Sequence, residues 1–174
     1  MGDWKILKGL PAEGPLAVPF STNGRGTHSE GLVVEFVSET GERWVGNFQP
    51  GITEFTGVLA YPPGGVLVVS RGQGYVVDPE RRALRELLGD GFIQGAMEVA
   101  EAQQLVLHDG VHLTLLGPQG VHWTSRRVSW DGIWELRVEN GVVQGLSWDA
   151  INEIAVPFQV DLATGVARGG GYQV

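Results

Sequence analysis

From Leu32 onward the chain alternates short apolar runs with turn-forming clusters. Leu32–Val37 is followed by SETGE and then Trp44–Phe48. Val66–Val69 is followed by SRGQG and then Tyr75–Val77. Leu105–Leu107, HDG, Val111–Leu116, GPQG and Val121–Thr124 succeed one another, as do Ile133–Val138, ENG and Val142–Leu146. Short runs rich in β-branched and aromatic residues, bounded by Gly, Pro, Asn and Asp, read as strands joined into hairpins. Asn140-Gly141 is the strongest turn, because a two-residue type I′ turn needs positive φ at both positions. The pattern predicts an all-β chain of repeated antiparallel hairpins over 32–174, within a single domain spanning 1–174. Residues 1–31 read as an irregular N-terminal segment, broken by Pro11, Pro15, Pro19 and the stretch from Ser21 to Gly26.

Two segments admit a helix. Asp78 and Pro79 could serve as N-cap and first helical residue of ERRALRELL, with Gly89 ending it and Leu84, Leu87 and Leu88 on one face. The competing reading is a turn followed by a strand at Ala83–Leu88. Ala96–Gln104 is a second, weaker helical candidate.

Two repeats organise the rest. Strand-plus-turn segments recur as VEFVSETG (34–41), YVVDPE (75–80), LTLLGPQG (113–120) and FQVDLATG (158–165), at intervals of about 40 residues. VVDPE and VDLATG resemble the strand–turn–strand centre of blades in many β-propellers, although no Trp-Asp pair closes each unit. That resemblance implies a β-propeller-like fold of about four blade-like units and no particular function. A twisted β-sandwich or a meander of the same hairpins is the alternative. The second repeat is sharper: SWDGIWEL (129–136) and SWDAINEI (147–154) share five of eight residues at an offset of 18. Its spacing, with the Asn140-Gly141 turn between, places the copies on neighbouring elements of one sheet.

Composition narrows the chemistry. Twenty-seven Gly and nine Pro suit a chain of many tight turns. The absence of Cys excludes disulfides, thiolate metal sites and a Cys nucleophile, and fits a reducing, cytoplasmic setting. Two Lys against ten Arg fits a GC-rich, bacterial genome. No apolar run reaches the length of a membrane helix, and the opening MGDWKILKGL holds no apolar signal region. A net charge of −8 with no basic patch speaks against nucleic acid as a partner.

The doubled motif supplies the candidate binding residues Trp130, Asp131, Trp134, Trp148 and Asp149, with His108 and His112 as an outlying group. Asp131 and Asp149 also suit turns, where Asp bonds its own backbone. Trp134 is expected to face solvent, because Asn152 replaces it in the second copy. The carboxylates Asp131, Glu135, Asp149 and Glu153 give the alternative of a sugar-binding or glycoside-hydrolysing site, provided that different copies approach each other, since residues four apart in one strand are about 13 Å apart. His112 and His122 fall across a possible hairpin, yet His108-Asp109-Gly110 reads first as a turn, so no metal is expected. Gly24-Arg25-Gly26 lacks the third glycine of a dinucleotide loop, and no serine sits in a nucleophile elbow. Arg126-Arg127-Val128-Ser129 resembles a kinase site but lies against a strand. The tail Arg168 to Gly171 reads as a flexible or closing segment. The sequence thus points to a non-enzymatic interaction protein without a cofactor, presenting loops on a rigid β scaffold to a protein partner. A sugar-binding protein or glycoside hydrolase is the alternative.

Overall fold

The computed structural model describes residues 3–26, 28–99 and 102–173. The chain divides into two compact units, Met1–Ile93 and Gln94–Val174. It is all-β and β-propeller-like, with four blade-like sheets of four strands each.

In the first unit, β1 (Asp3–Leu7), β2 (Val18–Phe20), β3 (Leu32–Val37) and β4 (Arg43–Phe48) form one sheet in the order β1-β3-β4-β2. The second sheet runs in chain order through β5 (Gly57–Tyr61), β6 (Gly65–Ser70), β7 (Gln73–Asp78) and β8 (Ala83–Leu88). In the second unit, β9 (Gly95–Val99), β10 (Gln104–His108), β11 (Leu113–Gly117) and β12 (Gly120–Thr124) form the third sheet. The fourth contains β13 (Ile133–Glu139), β14 (Val142–Asp149), β15 (Ile154–Asp161) and β16 (Ala167–Gly169). A 3-10 turn, Gly89–Gly91, follows β8.

Alternation decides which faces meet, because successive side chains of a strand point to opposite faces. In the first unit Phe20, Val34, Phe36, Trp44 and Phe48 pack against Val66, Val68, Tyr75 and Val77. Phe20 stacks on Phe48 at 4.7 Å and Phe36 on Trp44 at 4.4 Å. Gly46 makes room for this stack, since a Cβ there would lie 2.6 Å from the Phe48 ring. Two polar tips in this core are satisfied: the Trp44 indole N–H donates to the Pro79 carbonyl at 2.9 Å, and the Tyr75 hydroxyl donates to the Gln49 carbonyl at 2.8 Å. Burial pushes the Tyr75 phenol up to about 12. In the second unit Val106, Leu113 and Leu115 of the third sheet meet Ile133, Val143, Phe158 and Val160 of the fourth around Val128.

The segment read as irregular supplies two strands. β1 pairs antiparallel with β3, and β2 pairs parallel with β4. β2 is only three residues long and contains Pro19, so it carries too little periodicity to be read as a strand. The ambiguous segment is the strand β8, not a helix. Asp78 does accept the N–H groups of Glu80 and Arg81, at 3.1 and 3.0 Å, as a cap would. The chain then reverses through Arg82 at φ 52°, and Ala83 pairs back with Asp78. The weaker helical candidate is likewise overturned at both ends, by β9 and β10; Ala100 and Glu101 lie outside the described residues.

The loose repeat holds for three of its four members. Asp78–Ala83, Gly117–Gly120 and Asp161–Val166 each link the third strand of a sheet to the fourth. The turn after Val37 instead joins the two central strands of the first sheet, whose flanking strands come from the N-terminal segment. The strand pairs β7–β8, β11–β12 and β13–β14, each of which includes an edge strand, are interrupted by a register shift. Among the described residues no helix is long and apolar enough to cross a membrane.

Phe20→Ala tests the place of the N-terminal segment in the core. Phe20 is 5% exposed, and its truncation is expected to cost about 3–5 kcal/mol, read as a lower urea midpoint. A midpoint equal to wild type would show that the segment contributes nothing to the first unit.

Candidate functional site

The doubled Ser-Trp-Asp motif converges by direct backbone contact. Trp130 N–H donates to the Trp148 carbonyl at 3.0 Å. Both serines are fully buried and do the same work. Ser129 Oγ donates to the Gly132 carbonyl at 2.6 Å and accepts the Trp148 N–H at 2.9 Å. Ser147 Oγ donates to the Val156 carbonyl at 3.0 Å and accepts the Gly171 N–H at 2.9 Å. A buried hydroxyl used twice satisfies backbone groups that would otherwise be orphaned. The burial of Ser129 removes it from the reach of a kinase.

The histidine group belongs to the same end of this unit. Gly132 N–H donates to the Gly110 carbonyl, and Val128 N–H to the Val111 carbonyl, both at 2.9 Å. His108–His112, Trp130–Gly132 and Trp148–Ile154 therefore lie beside one another, so His108 and His112 are not outlying.

The tail is a closing segment. Gly171 lies where a Cβ would be 2.4 Å from the Trp148 carbonyl oxygen, and a Cβ on Gly170 would be equally close to that of Val128. Tyr172 N–H donates to the Val128 carbonyl at 3.2 Å. Arg126 donates to the carbonyls of Gly169 and Tyr172, at 2.8 and 3.2 Å. The Arg127 guanidinium stands 4.6 Å from the Tyr172 ring centre and 5.5 Å from that of Trp130. It also donates to the carbonyls of Ser129 and Trp130, at 2.9 and 2.6 Å. Cation–π contact and charge-assisted bonds thus fix Trp130 from one side.

The carboxylates are not equivalent. Asp149 accepts from the Ile151 and Asn152 N–H groups and from Asn152 Nδ2, at 2.9, 3.2 and 2.7 Å. The Asn152 side chain foremost, then these N–H groups, hold its carboxyl below the ordinary range. Asp149 is therefore a turn residue. Asp131 is exposed and bonds to nothing among the described residues. Glu135 and Glu153, equivalent in the two copies, both have φ 55°. At Glu153 this closes a four-residue hairpin; at Glu135 it sits in the β13 bulge.

Trp134 is half-buried, as are Trp123, Trp130 and Trp148, so it does not stand out as the solvent-facing tryptophan. Its ring covers Gly132, 3.4 Å from a Cβ built there. His112 Nδ1 lies 3.1 Å from Asp109 Oδ2, and Asp109 Oδ1 accepts the Val111 and His112 N–H groups. Burial would raise the Asp109 carboxyl, but these bonds outweigh it and lower it. His108 lies over Gly95 with Nδ1 enclosed and unpartnered among the described residues; burial lowers its pKa. His122 lies over Gly117 on β11, not opposite His112. Among the described residues no three His, Asp or Glu side chains gather as a metal site.

Two clefts lie at the opposite end of the fourth sheet. One of about 540 Å³ is lined by Glu98, Val99, Ala102, Val138, Asn140, Gly141 and Leu162. The other, about 290 Å³, is lined by Val142, Gln159, Asp161, Thr164, Val166 and Arg168. Sequence reasoning passed over the second set, because VDLATG reads fully as a turn and the Gln and Arg are isolated surface residues.

No protein-family model and no curated protein matches the chain. Solved structures do. The extracellular domain of BT4673 from B. thetaiotaomicron superposes with a TM-score of 0.54 at 13% identity, over 78% of this chain and 20% of that one. Hydrazine synthase from Kuenenia stuttgartiensis gives 0.50 at 12% identity, over 79% of this chain and 42% of that one. The WD40 β-propeller domain of Doa1 gives 0.45 at 17% identity, over 81% and 48%. The chain spans less than half of each of these proteins, and the likeness is one of fold alone.

The enclosed His108 makes a pH prediction. The unfolded chain takes up a proton at the ordinary histidine value of 6.5, and the folded chain only at a lower pH. The unfolded state therefore binds more protons in that interval, and stability falls as pH drops below 6.5 through the folded value. Urea midpoints measured from neutral pH to about pH 5 should decline less steeply in His108→Gln than in wild type. Parallel declines would show that His108 is not the group responsible.

Proposed function

We propose that the chain is a non-enzymatic binding scaffold that docks a protein partner on the turn end of its second unit. The observation that carries this reading is the convergence of three separate segments on bonded backbone, beside two exposed isoleucines. Ile151 is 76% exposed and Ile154 52% exposed, at the hairpin that Asp149 holds. Loops fixed on a rigid sheet are where recognition residues concentrate, and exposed apolar side chains beside half-exposed aromatics are the anchors that association buries. Trp130, Asp131, Trp134, Trp148, Asp149, His108 and His112 form the surround in this reading. Ser129 and Ser147, the hydroxyls nearest a catalytic-looking cluster, are spent on backbone bonds. A chain without cysteine suits a reducing, cytoplasmic setting for such a complex.

Wild type and an Ile151→Asp, Ile154→Asp variant, immobilised side by side, test the reading against extract of the source organism. Both residues are exposed, so the variant should keep the wild-type urea midpoint. The expected result is a protein retained by wild type and lost from the variant, each buried apolar anchor contributing about 1.5–3 kcal/mol. No retained protein, or equal retention by both, would overturn it.

A further inference from the structure

At the far end of β15 from that surface, the cleft of about 290 Å³ gathers four polar side chains in a small space: Gln159, Asp161, Thr164 and Arg168. Two are held in place. Asp161 Oδ1 accepts both the N–H and the Oγ–H of Thr164, each at 2.8 Å. The hairpin carrying them is braced from outside. Asp161 N–H donates to the Val166 carbonyl at 3.0 Å, and Leu162 N–H to the Gly141 carbonyl at 2.9 Å. Trp123 Nε1 donates to the Leu162 carbonyl at 2.9 Å. The Trp123 ring lies against Gly165, 2.7 Å from a Cβ built there, and Gly165 has φ 73°, so only glycine closes this loop.

The other two keep donors free. Neither the Gln159 amide nor the Arg168 guanidinium forms a hydrogen bond among the described residues, although the Arg168 charge helps to hold the Asp161 carboxyl below its ordinary range, after the Thr164 bonds. Register places them side by side, Gln159 against Arg168. Gln144 lies opposite Gln159 on β14, and its Oε1 accepts from Arg137 Nη2 at 3.0 Å, so its amide oxygen is engaged. Val142 and Val166 supply apolar flanks.

The cleft therefore offers a fixed carboxylate as acceptor, the Thr164 hydroxyl beside it with one lone pair already taken by the Val166 N–H at 3.3 Å, an amide and a guanidinium as donors, and two small apolar flanks. A bound phosphate would meet the Asp161 carboxylate. A cation would find that one carboxylate beside Arg168. Vicinal hydroxyls, each both donor and acceptor on a carbon skeleton with apolar faces, match every group present. The volume is at the low end of small-molecule sites, which run from about 300 Å³ upward. We propose that this cleft binds one residue of a neutral oligosaccharide, with Asp161 and Thr164 accepting from its hydroxyls and Gln159 and Arg168 donating to them. The Gln144–Arg137 pair extends the donor row toward a neighbouring residue. This site is independent of the protein-docking surface and uses none of its residues.

Saturation-transfer NMR with maltotriose, cellotriose and triacetylchitotriose, each at millimolar concentration, tests it, with inorganic phosphate as a fourth probe. The expected result is a saturable signal from at least one oligosaccharide, weakened about tenfold or more in Gln159→Ala, Arg168→Ala and reduced in Thr164→Val. The Ile151→Asp, Ile154→Asp variant should bind the same sugar as wild type does. Silence from all three sugars, a signal indifferent to the Gln159 and Arg168 substitutions, or binding of phosphate alone would each overturn the proposal. Gln159 and Arg168 are exposed, and a retained urea midpoint separates loss of binding from loss of fold.

Discussion

The candidate surface stands on two hydroxyl groups that solvent does not reach. Ser129 and Ser147 each take one backbone N–H and give one proton to a backbone carbonyl. Through them the connector before β13, the end of β14, the start of β15 and the C-terminal tail become one hydrogen-bonded patch. An unmade bond at such a buried position costs about 1–3 kcal/mol. The repeat in the sequence is thus the trace of one bonding device used twice. The tryptophans and aspartates next to these serines inherit their positions from it.

Much of the fold was legible, for a simple reason. Strands that bury one face show alternation, and turns that need positive φ show glycine or asparagine. Ile133–Val138 alternates, whereas Val66–Val69 and Tyr75–Val77 are unbroken apolar runs in strands buried on both faces; all three adjoin glycine-bearing turns, and each lies in a strand. β2 was illegible, because three residues with a proline hold no period. β8 was ambiguous because an aspartate that caps a helix and one that opens a hairpin bond the same two N–H groups. What separates them is Arg82 in the left-handed region, a choice that tertiary pairing makes and residue type does not announce.

The candidate surface was legible in part. The doubled motif marked Trp130, Trp148, Asp131 and Asp149, and the contact between its copies follows from their spacing across one hairpin. The nearness of His108 and His112 was not readable, since it depends on Gly110 and Val111 bonding to residues 17 or more positions away. Nor did the sequence single out Ile151 and Ile154, because exposure of an isoleucine is a property of what fails to cover it. The polar cleft went unseen because FQVDLATG, which holds Gln159, Asp161 and Thr164, reads fully as a strand and turn, and only pairing with β14 and β16 brings Val142 and Arg168 beside it.

The interrupted pairings at β7–β8, β11–β12 and β13–β14 share a setting: each includes a strand with one side unpaired. A free strand edge is a template on which a foreign strand can grow. An extra residue breaks the even ladder of donors and acceptors, bends the strand and sharpens its twist. An approaching chain then finds no straight row of partners to match. Charged Arg85 and Glu86 on β8 add a desolvation cost to any such approach. Three of the eight edge strands among the described residues, β8, β12 and β13, carry such a break, and at those edges a foreign strand meets a ladder that does not continue.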